Sequence, residues 1–141
     1  MNISKTVVHV RVRDVMKKNF TTIDGLDMVS EALYKMKAQK TSVLLVNKRH
    51  DDDEYGLVTC ADIARHVLAK DRAPDRVNVY EIMSKPIISV HPDMDIRHCS
   101  RLFANYNLVR APVIEDRAVI GIISPNSLVL DGLFQLLEIP S

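Results

Sequence analysis

Cysteine is scarce in this 141-residue sequence. Cys60 and Cys99 are the two present, too few for the disulfide framework of a small secreted domain. Aromatic residues make up 5% of the chain, so surfaces for stacking nucleic-acid bases are poorly supplied. Charge of one sign is not in excess either. Lys plus Arg is 19 and Asp plus Glu is 18, a formal net charge of +1, which argues against a broadly basic nucleic-acid binder. Long apolar runs are missing. The longest charge-free stretch, 118–130, contains Pro125 and is too short to cross a bilayer. Met1 to Lys5 opens no apolar signal-peptide core, so a cytoplasmic protein is expected. What is present is globular composition, with 47% hydrophobic and 26% charged residues. The length suits one domain, or two half-domains packed as one. Such a chain buries roughly two-thirds of its unfolded surface and needs no metal or disulfide staple.

The chain repeats itself, and repeats must be sought before a fold is read. The first segment runs Val12-Arg13-Asp14-Val15-Met16, then Thr22-Ile23, an apolar helical stripe, and Val43-Leu44-Leu45-Val46. The second runs Val79-Tyr80-Glu81-Ile82-Met83, then Ser89-Val90, another stripe, and Ala111-Pro112-Val113-Ile114. A shift of 67 residues carries Met16 onto Met83 and Val46 onto Val113 without a gap. The following turn is two residues longer in the first repeat, so the shift from Gly56 to Gly121 is 65. Identical pairs are few, at Val12, Met16, Lys18 and Val46. The repeat is carried by apolar period and turn signals.

Each repeat reads as strand, helix, strand, strand, helix. Val29, Ala32, Leu33 and Met36 fall on one helical face, and Ile96, Cys99 and Phe103 repeat it. Asp27 and Asp95 are expected to cap these helices. Val43–Val46 with Leu57-Val58, and 109–114 with 119–123, are expected hairpins. The charged, proline-broken stretch 70–77 is expected to link repeat one, 8–69, to repeat two, 78–138.

Thr59-Cys60-Ala61-Asp62 follows directly on Tyr55-Gly56-Leu57-Val58. The plain reading is a capping box, with Thr59 as N-cap and Asp62 three residues on. The functional reading uses the same geometry. A helix N-terminus offers free N–H groups to a phosphate, Gly56 permits close approach, and the Asp62 carboxylate accepts from two ribose hydroxyls.

In its two echoes of Met, an apolar helix, a Val-rich strand and Gly-Leu-Val-Thr-x-x-Asp or Gly-Ile-Ile-Ser, the sequence resembles a tandem CBS-domain pair, or Bateman module. The resemblance covers about 8–137 and implies a stand-alone pair of α+β class. It implies two βαββα repeats related by a pseudo-two-fold axis, binding adenosine-containing ligands in clefts between them. One cleft would use Leu57, Thr59, Ala61 and Asp62 with Tyr80, Lys85, Ile87 and Leu108. The weaker second would use Ile122, Ser124, Asn126 and Ser127 with Arg13, Lys18, Phe20 and Thr41, and Arg110 as a phosphate ligand. Ser127 stands where the ribose-binding Asp would be, and a neutral, shorter hydroxyl grips a diol less well.

The resulting expectation is a regulatory sensor, not an enzyme. It needs no cofactor and binds AMP, ADP, ATP or S-adenosylmethionine as a regulatory ligand that shifts a conformational equilibrium. A homodimer is expected from apolar Met28, Met36, Leu128, Leu133, Leu136 and Leu137. The regulated protein stays unnamed, and neither membrane nor nucleic acid is expected as a partner. The alternatives are a ligand-free scaffold or dimerisation module, and a hard-metal site in His50–Glu54, whose plain reading is a solvated turn. No zinc spacing joins the histidines and cysteines, and no Gly-x-Ser-x-Gly elbow is present. The basic cluster Arg11, Arg13, Lys17 and Lys18 is read as solvated surface, with phosphate or RNA binding as the sharper option.

Overall fold

The computed structural model describes residues 9–85 and 87–137. In chain order its regular elements are α1 (Val12–Val15), β1 (Thr22–Ile23), α2 (Val29–Gln39), β2 (Val43–Val46), β3 (Gly56–Thr59), α3 (Cys60–Ile63), α4 (Ile96–Tyr106), β4 (Ala111–Glu115), β5 (Ala118–Ile123) and α5 (Phe134–Leu137). Two π-helical stretches, Ala64–Leu68 and Ser127–Leu133, continue α3 and precede α5. Short 3-10 turns lie at Pro74–Arg76 and Val79–Glu81. Helix and small sheets are mixed, as expected for the α+β class.

The chain divides into two compact units that do not follow the sequence repeat. One is continuous, 20–87. The other joins the segment before residue 20 to everything from Ile88 onward. Each unit therefore takes its leading segment from the other repeat. The first and last residues of the expected repeats, Val8 and Glu138, lie outside the described residues.

In the 20–87 unit, β1 runs parallel to β2 and β2 antiparallel to β3, with Val43 opposite Thr59 and Val46 opposite Gly56. Ile23, Val29, Ala32, Met36, Leu44 and Val58 form the core with Val77, Val79 and Ile82. In the other unit β4 and β5 pair antiparallel, with a register shift between Val113 and Ile114. The counterpart of β1 shrinks there to a single parallel bridge, Val90 to Val113. Val10, Val12 and Val15 join Ile96, Cys99, Phe103, Val113 and Ile123 in its core. Fully burying one such side chain is worth about 1.5–3 kcal/mol, so the leading segments hold their units together.

Matched positions confirm the repeat in detail. The first helical N–H of α2, from Val29, donates to Val77 O at 2.8 Å; that of α4, from Ile96, donates to Val10 O at 3.0 Å. Both helices stop at a residue in the left-handed region, Lys40 and Asn107, each with φ 53. There the next N–H closes on Met36 O or Phe103 O, a helix-ending turn. Asp95 caps α4 as expected, accepting from Arg97 N at 2.7 Å. Asp27 does not cap α2. Its Oδ2 accepts from Asp24 N instead, and the N-cap is Met28. Two of the apolar residues expected to face a partner are buried, Met36 and Leu128, each 4% exposed, because they point into the two cores. No helix among the described residues is long and apolar enough to cross a membrane.

Candidate ligand-binding site

The junction from β3 to α3 carries the site. β3 is buried along Gly56, Leu57 and Val58, and Thr59 leaves the strand in an extended conformation to cap the helix. The Thr59 N–H donates to Asp62 Oδ2 at 2.9 Å, and its hydroxyl donates to the same oxygen at 3.0 Å. Asp62 N–H returns a bond to Thr59 Oγ1 at 3.1 Å. The capping box is therefore real, and it uses one carboxylate oxygen. The other, Oδ1, has only Arg65 Nη1 at 3.9 Å among the described residues. Asp62 is 8% exposed, so a carboxylate is held at the helix start with one acceptor uncommitted.

The counterpart in the second repeat differs. Ser124 Oγ accepts from Ser127 N at 3.4 Å, a long version of the same local bond. Ser127 is 2% exposed, and its hydroxyl has no hydrogen-bond partner among the described residues. A neutral, buried hydroxyl replaces the carboxylate, and an unpartnered buried polar group costs about 1–3 kcal/mol. Arg110 and Ser124 are half-buried, Ile122 is buried in β5, and Asn126 and Lys18 are exposed.

The other expected residues distribute as follows. Leu57 is buried and pairs with Ser84 of the following leading segment, through Leu57 N to Ser84 O at 3.1 Å and Ser84 N to Leu57 O at 2.9 Å. Ala61 is exposed on α3, and Ile87 is half-buried. Leu108 lies in the other unit, packed against its core, whereas the other seven residues of that set lie in 20–87. Phe20 and Thr41 also lie in 20–87; the Thr41 hydroxyl donates to Val43 O at 3.1 Å. Arg13 is fully committed. Its guanidinium bridges Asp93 at 2.8 Å and Glu115 at 3.1 Å, and holds the Asp93 carboxyl below its ordinary range.

Tyr80 and Lys85 sit away from Thr59. Both line a cavity of about 450 Å3 in 20–87, at the end of the sheet where β2 turns into β3. Lys85 is ion-paired with Asp53 of that turn. Asp53 also accepts from Arg49 N at 2.9 Å, and these bonds, the Lys85 one first, hold its carboxyl well below the usual range. The acidic turn is thus more than a solvated loop, since Asp53 is half-buried and ties the turn to the leading segment. Sequence reasoning missed the cavity's Gly25, Leu26, Asn47 and Arg49, and read Glu54 as part of a metal site or solvated turn. The available signal was the two extra residues of this turn.

Three metal-type donors within 4.8 Å of one another occur, among the described residues, at His91, Asp93 and Glu115 rather than in the acidic turn. Arg13 already neutralises both carboxylates there. The cysteines are free. Cys60 is exposed, 3.6 Å from Met36 Sδ, and burial pushes the Cys99 thiol up to about 11.

The comparisons with known proteins bear on both repeats. The sequence pattern of the CBS domain matches residues 12–69 and 79–130. The uncharacterized protein MK0525 of Methanopyrus kandleri is 30% identical over 117 residues, 82% of this chain; the chain spans 59% of that relative's length. The hexameric CBS-CP12 protein from bloom-forming cyanobacteria superposes with a TM-score of 0.85 at 36% identity, over 93% of this chain and 76% of that one. The CBS domain pair of protein MJ0100, solved with 5'-methylthioadenosine and S-adenosyl-L-methionine, gives 0.76 at 25% identity, over 93% of this chain and all 100% of that one. Matched twice along its length, and built from two units whose helices begin and end alike, the chain belongs to the CBS-domain family.

Proposed function

We propose that the chain is a regulatory module that binds an adenosine-containing ligand, AMP, ADP, ATP or S-adenosylmethionine, at the β3–α3 junction. The observation that carries this is Asp62: buried, fixed by Thr59 through one oxygen, and left with a second oxygen to receive ribose hydroxyls. The N–H groups at the start of the helix that continues from α3 favour phosphate. Leu57, Thr59 and Ala61 share the site with Asp62, and Ile87 joins them in the resemblance; Tyr80 and Lys85, which the resemblance also implies, line the separate cavity at the turn end of the sheet. The adenosine ligands named for MJ0100 support the class. Binding shifts a conformational equilibrium that a partner reads, with no catalytic step. The Ser127 junction, with Arg110 and Ser124, binds more weakly or not at all.

Titration calorimetry with AMP, ATP and S-adenosylmethionine tests the assignment. Asp62→Asn keeps size and part of the cap while removing charge, and should weaken binding about tenfold or more. Unchanged affinity would leave the capping box as the whole role of Asp62.

We also propose a homodimer. Val129, Leu130, Leu133, Phe134 and Leu137 are exposed on the last helical stretch, an apolar patch of the kind that marks association. The hexameric CBS-CP12 relative supports self-association. Light scattering should give twice 16.0 kDa or a multiple of it; a monomer at all micromolar concentrations would refute this.

A further inference from the structure

The cavity at the turn end of the sheet in 20–87 is not used by the reading above. Thr59 and Asp62 do not line it. They lie at the other end of β3, four residues at about 3.3 Å each from the turn. Its volume of about 450 Å3 is that of a small-molecule site, where roughly 300–1,000 Å3 is usual.

The lining has two characters. Val46, Met83, Leu26 and the Tyr80 ring make an apolar wall, and Arg49 and Glu54 supply opposite charges. Those two charges do not satisfy each other. The Glu54 carboxylate has no hydrogen bond or ion pair among the described residues, and Arg49 reaches only Asp53, at 3.9 Å, with its side chain 68% exposed. Lys85 is committed to Asp53. A simple anion drawn to Arg49 would meet the like charge of Glu54, and a simple cation drawn to Glu54 would meet Arg49. A zwitterionic ligand offers one charge to each, and an apolar side chain covers the wall.

The other unit fills the corresponding positions with charged residues. The counterparts of Tyr80 and Leu26, by the shift of 67, are Arg13 and Asp93. Arg13 pairs with Asp93 and with Glu115, so these charges satisfy one another. In 20–87 the same positions are an aromatic and a leucine, and both line the cavity.

From this we infer that the 20–87 unit carries a second pocket, separate from the adenosine site, for a free α-amino acid with an apolar side chain. Arg49 takes its carboxylate in a forked bond, Glu54 its ammonium, and the wall its side chain.

The test is calorimetry on the intact chain with L-leucine and L-methionine. N-acetyl-L-leucine, which lacks the ammonium, and L-leucine methyl ester, which lacks the carboxylate, serve as blocked probes. Saturable binding of the free amino acids is expected, with each blocked form weaker by about tenfold or more. Glu54→Gln and Arg49→Gln should each weaken L-leucine by a similar factor. Both residues are exposed, so unchanged melting and unchanged AMP titration will show that the variants fold. The inference is overturned if no free amino acid gives saturable heat. It is equally overturned if blocked and free forms bind alike, or if neither substitution matters. Failure of AMP to bind native protein would strike the adenosine reading and leave this one standing.

Discussion

Asp53 and Asp62 are each held by backbone N–H groups of the 20–87 unit, and what faces the second oxygen separates their roles. For Asp53 it is the Lys85 ammonium; for Asp62 it is Arg65, at 3.9 Å. The first is consumed by structure and the second is left for a ligand. Asp53 has a folded pKa below its ordinary 3.8, through Lys85 first and then backbone amides. A depressed carboxyl stabilises the fold above its unfolded pKa, and that contribution is lost as pH falls through the folded value. Asp53→Asn should therefore lower the melting temperature at neutral pH, and the gap to native protein should narrow below about pH 3.8. A gap that stays constant from pH 7 to the acid limit would exclude the Lys85 pair as its cause. Thr59 and Asp62 were legible in the sequence because a capping box is local, spanning four residues. The Lys85–Asp53 pair was not, because its members meet only after the leading segment docks on β3. In the sequence Lys85 reads as a ligand group, and nothing in the order of residues shows that a turn residue claims it.

At the scale of elements, two glycines set how closely each leading segment lies on its strand. A Cβ at Gly121 would come within 2.8 Å of Met16 Sδ and 3.0 Å of Lys17 O; at Gly56 it would meet Met83 Sδ at 3.0 Å and Ser84 O at 3.1 Å. Backbone oxygen cannot step aside as a side chain does. Gly121→Ala should cost about 1–3 kcal/mol of stability, read from denaturant unfolding. Gly132→Ala meets only the tip of Ile96, Cδ1 at 2.7 Å, and should cost less. Equal losses would show that the strand-to-segment spacing is not the constraint. Helix faces were legible at this scale for Ile96, Cys99 and Phe103 and for Val29, Ala32 and Met36, all buried as their period requires, whereas Leu33, expected on the same face, is 39% exposed because it lies at the edge of the buried stripe. The cap at Asp27 was misread because a backbone carbonyl, Val77 O, serves the first N–H of α2, and the side chain is drawn to Asp24 N. The strand at Ser89-Val90 was over-read: two apolar-flanked residues match a strand pattern, yet one bridge is all that forms.

For the whole molecule, the repeat of 67 is plain in the sequence, but the exchange of leading segments is not. Periodicity says which residues are alike, and it is silent on which copy each segment packs against. The core valines Val10, Val12 and Val15 stand beside β4 and β5, not beside their own repeat. This has a consequence for the order in which the protein can be made. The stretch 20–87 is continuous and can close as it leaves the ribosome. The stretch around Lys17 pairs with Ile122, so it must remain unpaired until roughly a hundred further residues have been synthesised, at ordinary rates about 5–20 s. Through that interval the nascent chain carries an apolar tether, Val10-Arg11-Val12, open to chaperones or to a neighbouring copy on the same messenger.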